Sequence, residues 1–212
     1  MHESGPDGPV GVPSAGLVVE TAGPNDAAGV VNVIASAFGG DPTWSWAFPD
    51  PATRRRFWEF AVDGALRYPW VLKTPRFEAA SVWIPPGGTE YSHEQEARIP
   101  GLLAELVGSR AAEVAELMRR FEQAHPRAEP HFYLSLLGSH AVHRGRGLGM
   151  ALLRENLARV DAQRMPAYLE SSNQANNHRY ESVGFVQVAA FLAPGGGPMV
   201  TGMWRERLDH RA

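Results

Sequence analysis

His143-Arg144-Gly145-Arg146-Gly147-Leu148-Gly149 is the stretch on which the reading of this 212-residue chain turns. An apolar run, Phe132 to Leu137, precedes it, and an amphipathic run, Met150 to Val160, follows. Strand, glycine-rich turn and helix in that order offer free backbone N–H groups to a phosphate, and the helix dipole favours the negative charge. Glycine lets the backbone approach a ligand closely, and the two arginines keep their charge at any physiological pH. A Rossmann dinucleotide site would need the third glycine one residue later and an acid about 20 residues on. Glu170 stands at about that distance, but the loop does not match. A plain tight turn between strand and helix is the remaining alternative.

Outward from this turn the chain alternates between strand and helix patterns. Leu17–Glu20, Trp70–Thr74, Phe77–Ile84, His131–Gly138, Ala167–Ser171, Phe185–Phe191 and Met199–Trp204 read as strands. Val30, Val33, Ile34, Ala37 and Phe38 fall on one face of a first helix, which Gly39-Gly40-Asp41-Pro42 should end. An aromatic loop, Trp44 to Pro49, follows. Ala52–Tyr68 is a second helix, and Ser92–Phe121 is helical with a break near Gly108-Ser109. Helices over Met150–Val160 and Asn176–Val183 complete the order, which is α/β with a mixed sheet.

Composition narrows the function. The net charge of −3 makes the whole molecule no electrostatic partner for nucleic acid. Without cysteine, disulfides, zinc-thiolate sites and thiol nucleophiles are excluded. The histidines show no ligand spacing, so no metal is implied. No apolar run reaches the ~20 residues of a membrane span. Residues 1–16, rich in Gly and Pro, read as a disordered tail ahead of a single domain over 17–212. Arg54-Arg55-Arg56 reads as a solvated helix face.

Two segments together resemble the GCN5-related N-acetyltransferase (GNAT) superfamily. Arg144-Gly145-Arg146-Gly147-Leu148-Gly149 is similar to its Arg/Gln-x-x-Gly-x-Gly/Ala loop, and Asn176 to Phe185 is similar to its Asn-x-x-x-Tyr-Glu-x-x-Gly-Phe pattern. One helix and one strand lie between them, as the resemblance requires. Trp83 in the third strand, the segment His125-Pro126 and Leu169-Glu170-Ser171-Ser172 resemble most the puromycin N-acetyltransferase-like members. The proline that the superfamily often has two residues before the position of His143 is Ala141 here.

The resemblance implies a twisted, mostly antiparallel mixed sheet of six to seven strands with helices on both faces. Strands four and five would splay apart at a bulge, and Gly138 fits a bulge. It implies transfer of an acetyl group from acetyl-CoA, as cosubstrate, to a primary amine of a small molecule or peptide. The amine would attack directly in a ternary complex, in a cytoplasmic monomer or homodimer without nucleic-acid or membrane partners. The alternative is an acyl-CoA-binding sensor or partner subunit without turnover. Cofactor binding would fall to Leu137, Gly138, Ser139, Arg144, Gly145, Arg146, Gly147, Leu148, Gly149 and Asn176. Tyr180 stands where the general acid does. For the general base, Glu170 acting through a water is set against His140 and against a water chain alone. Trp44, Trp46 and Phe48 would either line the acceptor pocket or pack their loop onto the core.

Overall fold

Seven strands join into one sheet in a computed structural model that describes residues 16–208. Residues 1–15 of the expected tail and the last four residues of the expected domain lie outside the described residues. The strands are β1 (Glu20–Thr21), β2 (Val71–Lys73), β3 (Ala79–Ile84), β4 (Phe132–Ser139), β5 (Ala167–Ser171), β6 (Val186–Leu192) and β7 (Met199–Arg205), in the spatial order β1-β2-β3-β4-β5-β7-β6. Among the described residues every neighbouring pair is antiparallel except β4–β5, which is parallel. A parallel pair needs a crossover, and helix α6 (Leu148–Ala162) supplies it.

Each face of the sheet buries its own apolar set. One face packs under α1 (Ala27–Ala37), α2 (Pro42–Ala47), α3 (Pro51–Ala65), α4 (His93–Val107) and α5 (Ala111–Ala124), with Val33, Ile34, Phe57, Trp58, Leu103 and Leu117 against Ala80, Val82 and Leu136. The other packs under α6 and α7 (Asn177–Glu181), with Leu153, Leu157 and Val160 against Trp83, Leu134 and Leu169. Gly108 takes φ +54° and breaks the long helical stretch where expected, between α4 and α5.

Two expectations are corrected. Gly39-Gly40-Asp41-Pro42 ends the first helical stretch as expected, with the Asp41 N–H bonded to the Phe38 carbonyl, but Asp41-Pro42 also starts a second helix. Asp41 caps α2 by accepting from the Trp44 N–H at 3.0 Å, and Pro42 occupies a first-turn position that needs no N–H. Thus the aromatic loop is helical to Ala47. The first strand lies three residues later than expected, where Glu20 and Thr21 pair with Lys73 and Leu72.

Strands β4 and β5 pair only over Phe132–Leu134 and Ala167–Leu169, and beyond that point they part. The bulge is at Ser135, not Gly138: Val82 pairs with Leu136 and Trp83 with Leu134, so Ser135 has no partner opposite it. One extra residue inverts which side of the strand each amide faces. The Phe132 N–H bonds across to Pro166 at the start of β5, yet the His140 N–H bonds to Glu78 on the β3 side. Both numbers are even, so the bulge has turned the strand. Leu137 and Ser139 therefore direct their backbone groups into the gap that β5 leaves, while Gly138 pairs with Ala80. Gly138 is small for another reason: a Cβ there would sit 2.3 Å from the Ala37 Cβ, where α1 crosses the sheet.

Candidate active site

The turn after β4 opens toward solvent. Gly145 and Gly147 take φ +82° and +73°, a left-handed conformation that favours glycine, and a Cβ on either would meet nothing within 4 Å. Gly147 is the N-cap of α6 and no side chain caps the helix. The first-turn N–H groups at Leu148, Gly149 and Met150 thus lack intrahelical partners and carry the positive end of the dipole. An open, glycine-walled cradle of amides beside Arg144 fits a diphosphate.

A cleft of about 1290 Å³ runs from this turn along the gap between β4 and β5. Leu137, Gly138, Ser139, Arg144, Gly145, Gly147, Leu148, Gly149, Asn176, Tyr180, Glu170 and Trp44 all line it. Arg146 does not: it lies exposed against His143, 3.5 Å away. His140 also lies outside the wall, with its Nδ1 accepting from the Val142 N–H.

Tyr180 sits on α7, edge-on to Phe185 at 6.2 Å. Burial pushes its phenol up to about 12; the Asp41 charge adds to the rise and Arg179 opposes it. Asp41 is itself buried, and burial raises its carboxyl although the Trp44 N–H and the Ser172 hydroxyl (2.7 Å) hold the charged form. Thr43 Oγ1 donates to the Ser172 carbonyl at 2.7 Å. The start of α2 is thereby bolted to the end of β5, beside the mouth of the gap.

Sequence reasoning missed the group at the other end of the cleft. Glu90, in the loop after β3, lines the wall and accepts from the hydroxyl of Ser135, the bulged residue. Burial pushes its carboxyl up to about 7; the Ser135 hydroxyl opposes this, the Glu170 charge adds to it and His125 opposes it. Glu170 keeps a side chain only 2% exposed, with Oε1 3.7 Å from His125 Nδ1. Its Oε2 finds no hydrogen-bond partner among the described residues. His131 bonds the Glu129 carbonyl (2.7 Å) and His125 Nε2 (3.0 Å), and burial lowers its pKa. The phenols of Tyr133 and Tyr168 are raised by burial and then by the Glu170 charge.

No sequence-family profile matches the chain. Solved structures do share its fold. A histone acetyltransferase HPA2 and related acetyltransferase from Corynebacterium glutamicum aligns over 92% of this chain and 98% of its own, at 23% identity and a TM-score of 0.64. A Drosophila melanogaster polyamine N-acetyltransferase, which catalyses formation of N-acetylagmatine, covers 89% and 99% at 14% identity and the same TM-score. The NatC complex bound to Gag peptide and CoA covers 92% and 100% at 11% identity, with a TM-score of 0.54. This is the GNAT fold.

Within the GNAT fold the expected aromatic pocket divides. Trp44 lines the cleft, stacked on Phe57 (5.5 Å) and Phe121 (5.8 Å) and edge-on to Trp58 (4.8 Å). Phe48 is fully buried against Phe57 and reaches no cleft surface. Trp46 faces Arg110, whose guanidinium lies 4.9 Å from its ring and whose Nη1 donates to the Trp46 carbonyl. Trp46 is not part of the wall. Two residues on from Trp44, Trp46 lies on the far side of α2 and faces away from the cleft, whereas Phe48, just past the helix end, stacks on Trp44 at 6.4 Å within the core. The expected solvated arginine face divides as well: Arg54 is buried on Ser45 Oγ, Arg55 is half-buried beside Glu59, and Arg56 is exposed and paired with Glu105.

Proposed function

We propose that this protein is an N-acetyltransferase that moves the acetyl group of acetyl-CoA to a primary amine of a small molecule or peptide. One observation carries the reading: β4 and β5 part beyond Leu134 and Leu169, and the gap leads to the uncapped N-terminus of α6. The NatC neighbour was solved with CoA, and the polyamine N-acetyltransferase acts on an amine, which supports both halves of the proposal. Trp83, His125-Pro126 and Leu169 to Ser172 support the puromycin N-acetyltransferase-like members as nearest relatives.

Bound acetyl-CoA would supply an activated thioester carbonyl. The amides of Gly145 and Gly147 to Gly149, with Arg144, would hold its diphosphate. The Leu137 and Ser139 backbone groups would pair with its arm, and an N–H there would polarise the carbonyl. Asn176 would border the arm and Tyr180 would protonate the departing sulfur. The absence of cysteine removes the thiol route to an acyl-enzyme, and the amine would attack the thioester directly in a ternary complex.

Calorimetric titration of acetyl-CoA tests the placement. Gly147→Glu puts bulk and negative charge in the cradle and should abolish binding. Gly147→Asn tolerates positive φ and controls for backbone strain, so it should retain measurable affinity. Normal binding by Gly147→Glu would rule the cradle out.

A further inference from the structure

We propose that the far end of the cleft binds the acceptor as an ammonium ion on Glu170, and that Glu90, held by Ser135, takes the proton that frees the amine for attack. The proposal rests on the N-acetyltransferase reading and deepens it. It assigns the base to Glu90 and leaves Glu170 as the anchor.

The placement comes from the backbone. Leu134 and Leu169 are the last paired residues of β4 and β5, so Ser135 and Glu170 are the first residues on either side of the gap. Ser135, released by the bulge, donates to Glu90. The two carboxylates therefore flank the vertex where the strands part. A buried carboxylate oxygen without a well-placed donor is costly. The Glu170 side chain, 2% exposed, has the Tyr133 and Tyr168 phenols and His125 around it, yet its Oε2 meets no donor at hydrogen-bond geometry among the described residues. An ammonium group brings three donors and a positive charge. Two carboxylates facing one space disfavour double ionisation, and a cation between them relieves both.

The chemistry needs both groups. A primary alkylammonium has a pKa near that of lysine, about 10.4, so near neutrality it must lose a proton to react. Glu90, pushed up to about 7, matches that task. The groups that face it are Glu170 from β5, Glu122 of α5 and His125 just past its end, Tyr133 and Ser135 from β4, and Tyr91 beside it; Arg67 donates to its carbonyl. An N–H bond breaks with its electron pair kept on nitrogen, and the proton goes to Glu90. The nitrogen pair then forms the N–C bond as the C–S bond breaks with its pair on sulfur, which takes the Tyr180 proton. The second nitrogen proton restores the phenol, and Glu90 releases the first to solvent.

Steady-state acetyl transfer to tryptamine and to putrescine, from about pH 6 to about pH 10, tests the division of roles. Glu170→Gln should raise the amine KM at least about tenfold and leave acetyl-CoA affinity unchanged, since it removes the negative charge that faces the ammonium and nothing at the diphosphate end. Glu90→Gln should lower kcat at about pH 7 at least tenfold with a smaller change in amine KM. Its deficit should shrink as the pH nears the amine's own pKa, where solution supplies free amine. Ser135→Ala should move the acid limb to higher pH, because its hydroxyl holds the charged form of Glu90. An unchanged amine KM in Glu170→Gln, or a wild-type rate and acid limb in Glu90→Gln, overturns the assignment while leaving acetyl transfer intact. A wild-type protein that transfers acetyl to neither probe and binds no acetyl-CoA sinks the underlying reading and this proposal with it.

Discussion

A phenol protonates a leaving sulfur only while it still holds its proton. Tyr180, pushed up to about 12 by burial and by Asp41, stays neutral through the physiological range. Tyr180→Phe keeps the ring against Phe185 and removes only the hydroxyl. The expected outcome is a kcat lower by at least about tenfold with acetyl-CoA affinity unchanged, read by steady-state kinetics beside calorimetry. Unchanged turnover would take Tyr180 out of the mechanism. The cleft-lining residues that sequence singles out most directly, Gly145, Gly147, Gly149 and Tyr180, each sit in one short motif. Glu90 was not legible, because its character is made by Ser135, 45 residues away, and by Glu170 and His125, further strands and helices off. Nothing in the Pro85-Pro86-Gly87-Gly88 loop that precedes it marks it out.

Helices and strands place these groups, and their joints can be tested singly. Asp41 caps α2 and ties it to β5 through Ser172. Asp41→Ala loses a cap worth about 0.5–2 kcal/mol and leaves a buried hydroxyl without its acceptor at about 1–3 kcal/mol more. Asp41→Asn should retain most of the cap. Urea unfolding of the pair checks this, and an alanine variant as stable as wild type would deny α2 its anchor. Where α1 crosses β4, Gly138→Ala drives a methyl to 2.3 Å from Ala37 Cβ and should cost about 1–3 kcal/mol by overpacking. Adding Ala37→Gly should recover part of the loss, since the two sites touch; strictly additive losses would put the strain elsewhere. Short apolar runs bounded by Gly, Pro, Asn and Asp made the seven strands legible, and the glycine at 108 marked the break between α4 and α5. The bulge escaped because Gly138 drew it three residues too far along. The Asp41-Pro42 pair serves as both stop and start: it closes the stretch after α1 and, chemically suited to an N-terminus, opens α2, and only the first role is apparent from the glycines before it.

Across the whole molecule, Asp41, Glu90 and Glu170 place three ionisable groups along one cleft, and the charge held there ties stability to pH. Glu90 has a folded pKa raised from 4.5 to about 7, so its contribution to stability is complete below 4.5 and is lost as the pH rises through about 7. Glu78 runs the other way: the Thr74 hydroxyl, outweighing burial, and Arg76 lower it to about 2, so its contribution holds above 4.5 and fails as the pH falls toward 2. Wild-type stability should therefore decline between about pH 4.5 and 7, and Glu90→Gln should flatten that decline; equal slopes by urea unfolding would show that Glu90 titrates normally. A ligand that fills the cleft acts on the same balance. At 100 times its Kd, a ligand binding only the folded state adds about 2.7 kcal/mol. For a chain of this size each kcal/mol moves the Tm by about 2–4 °C. Acetyl-CoA at that excess should thus raise the Tm by roughly 5–10 °C, and the rise should vanish in Gly147→Glu while surviving in Tyr180→Phe. A shift that Gly147→Glu keeps would mean the ligand is held somewhere other than the turn before α6.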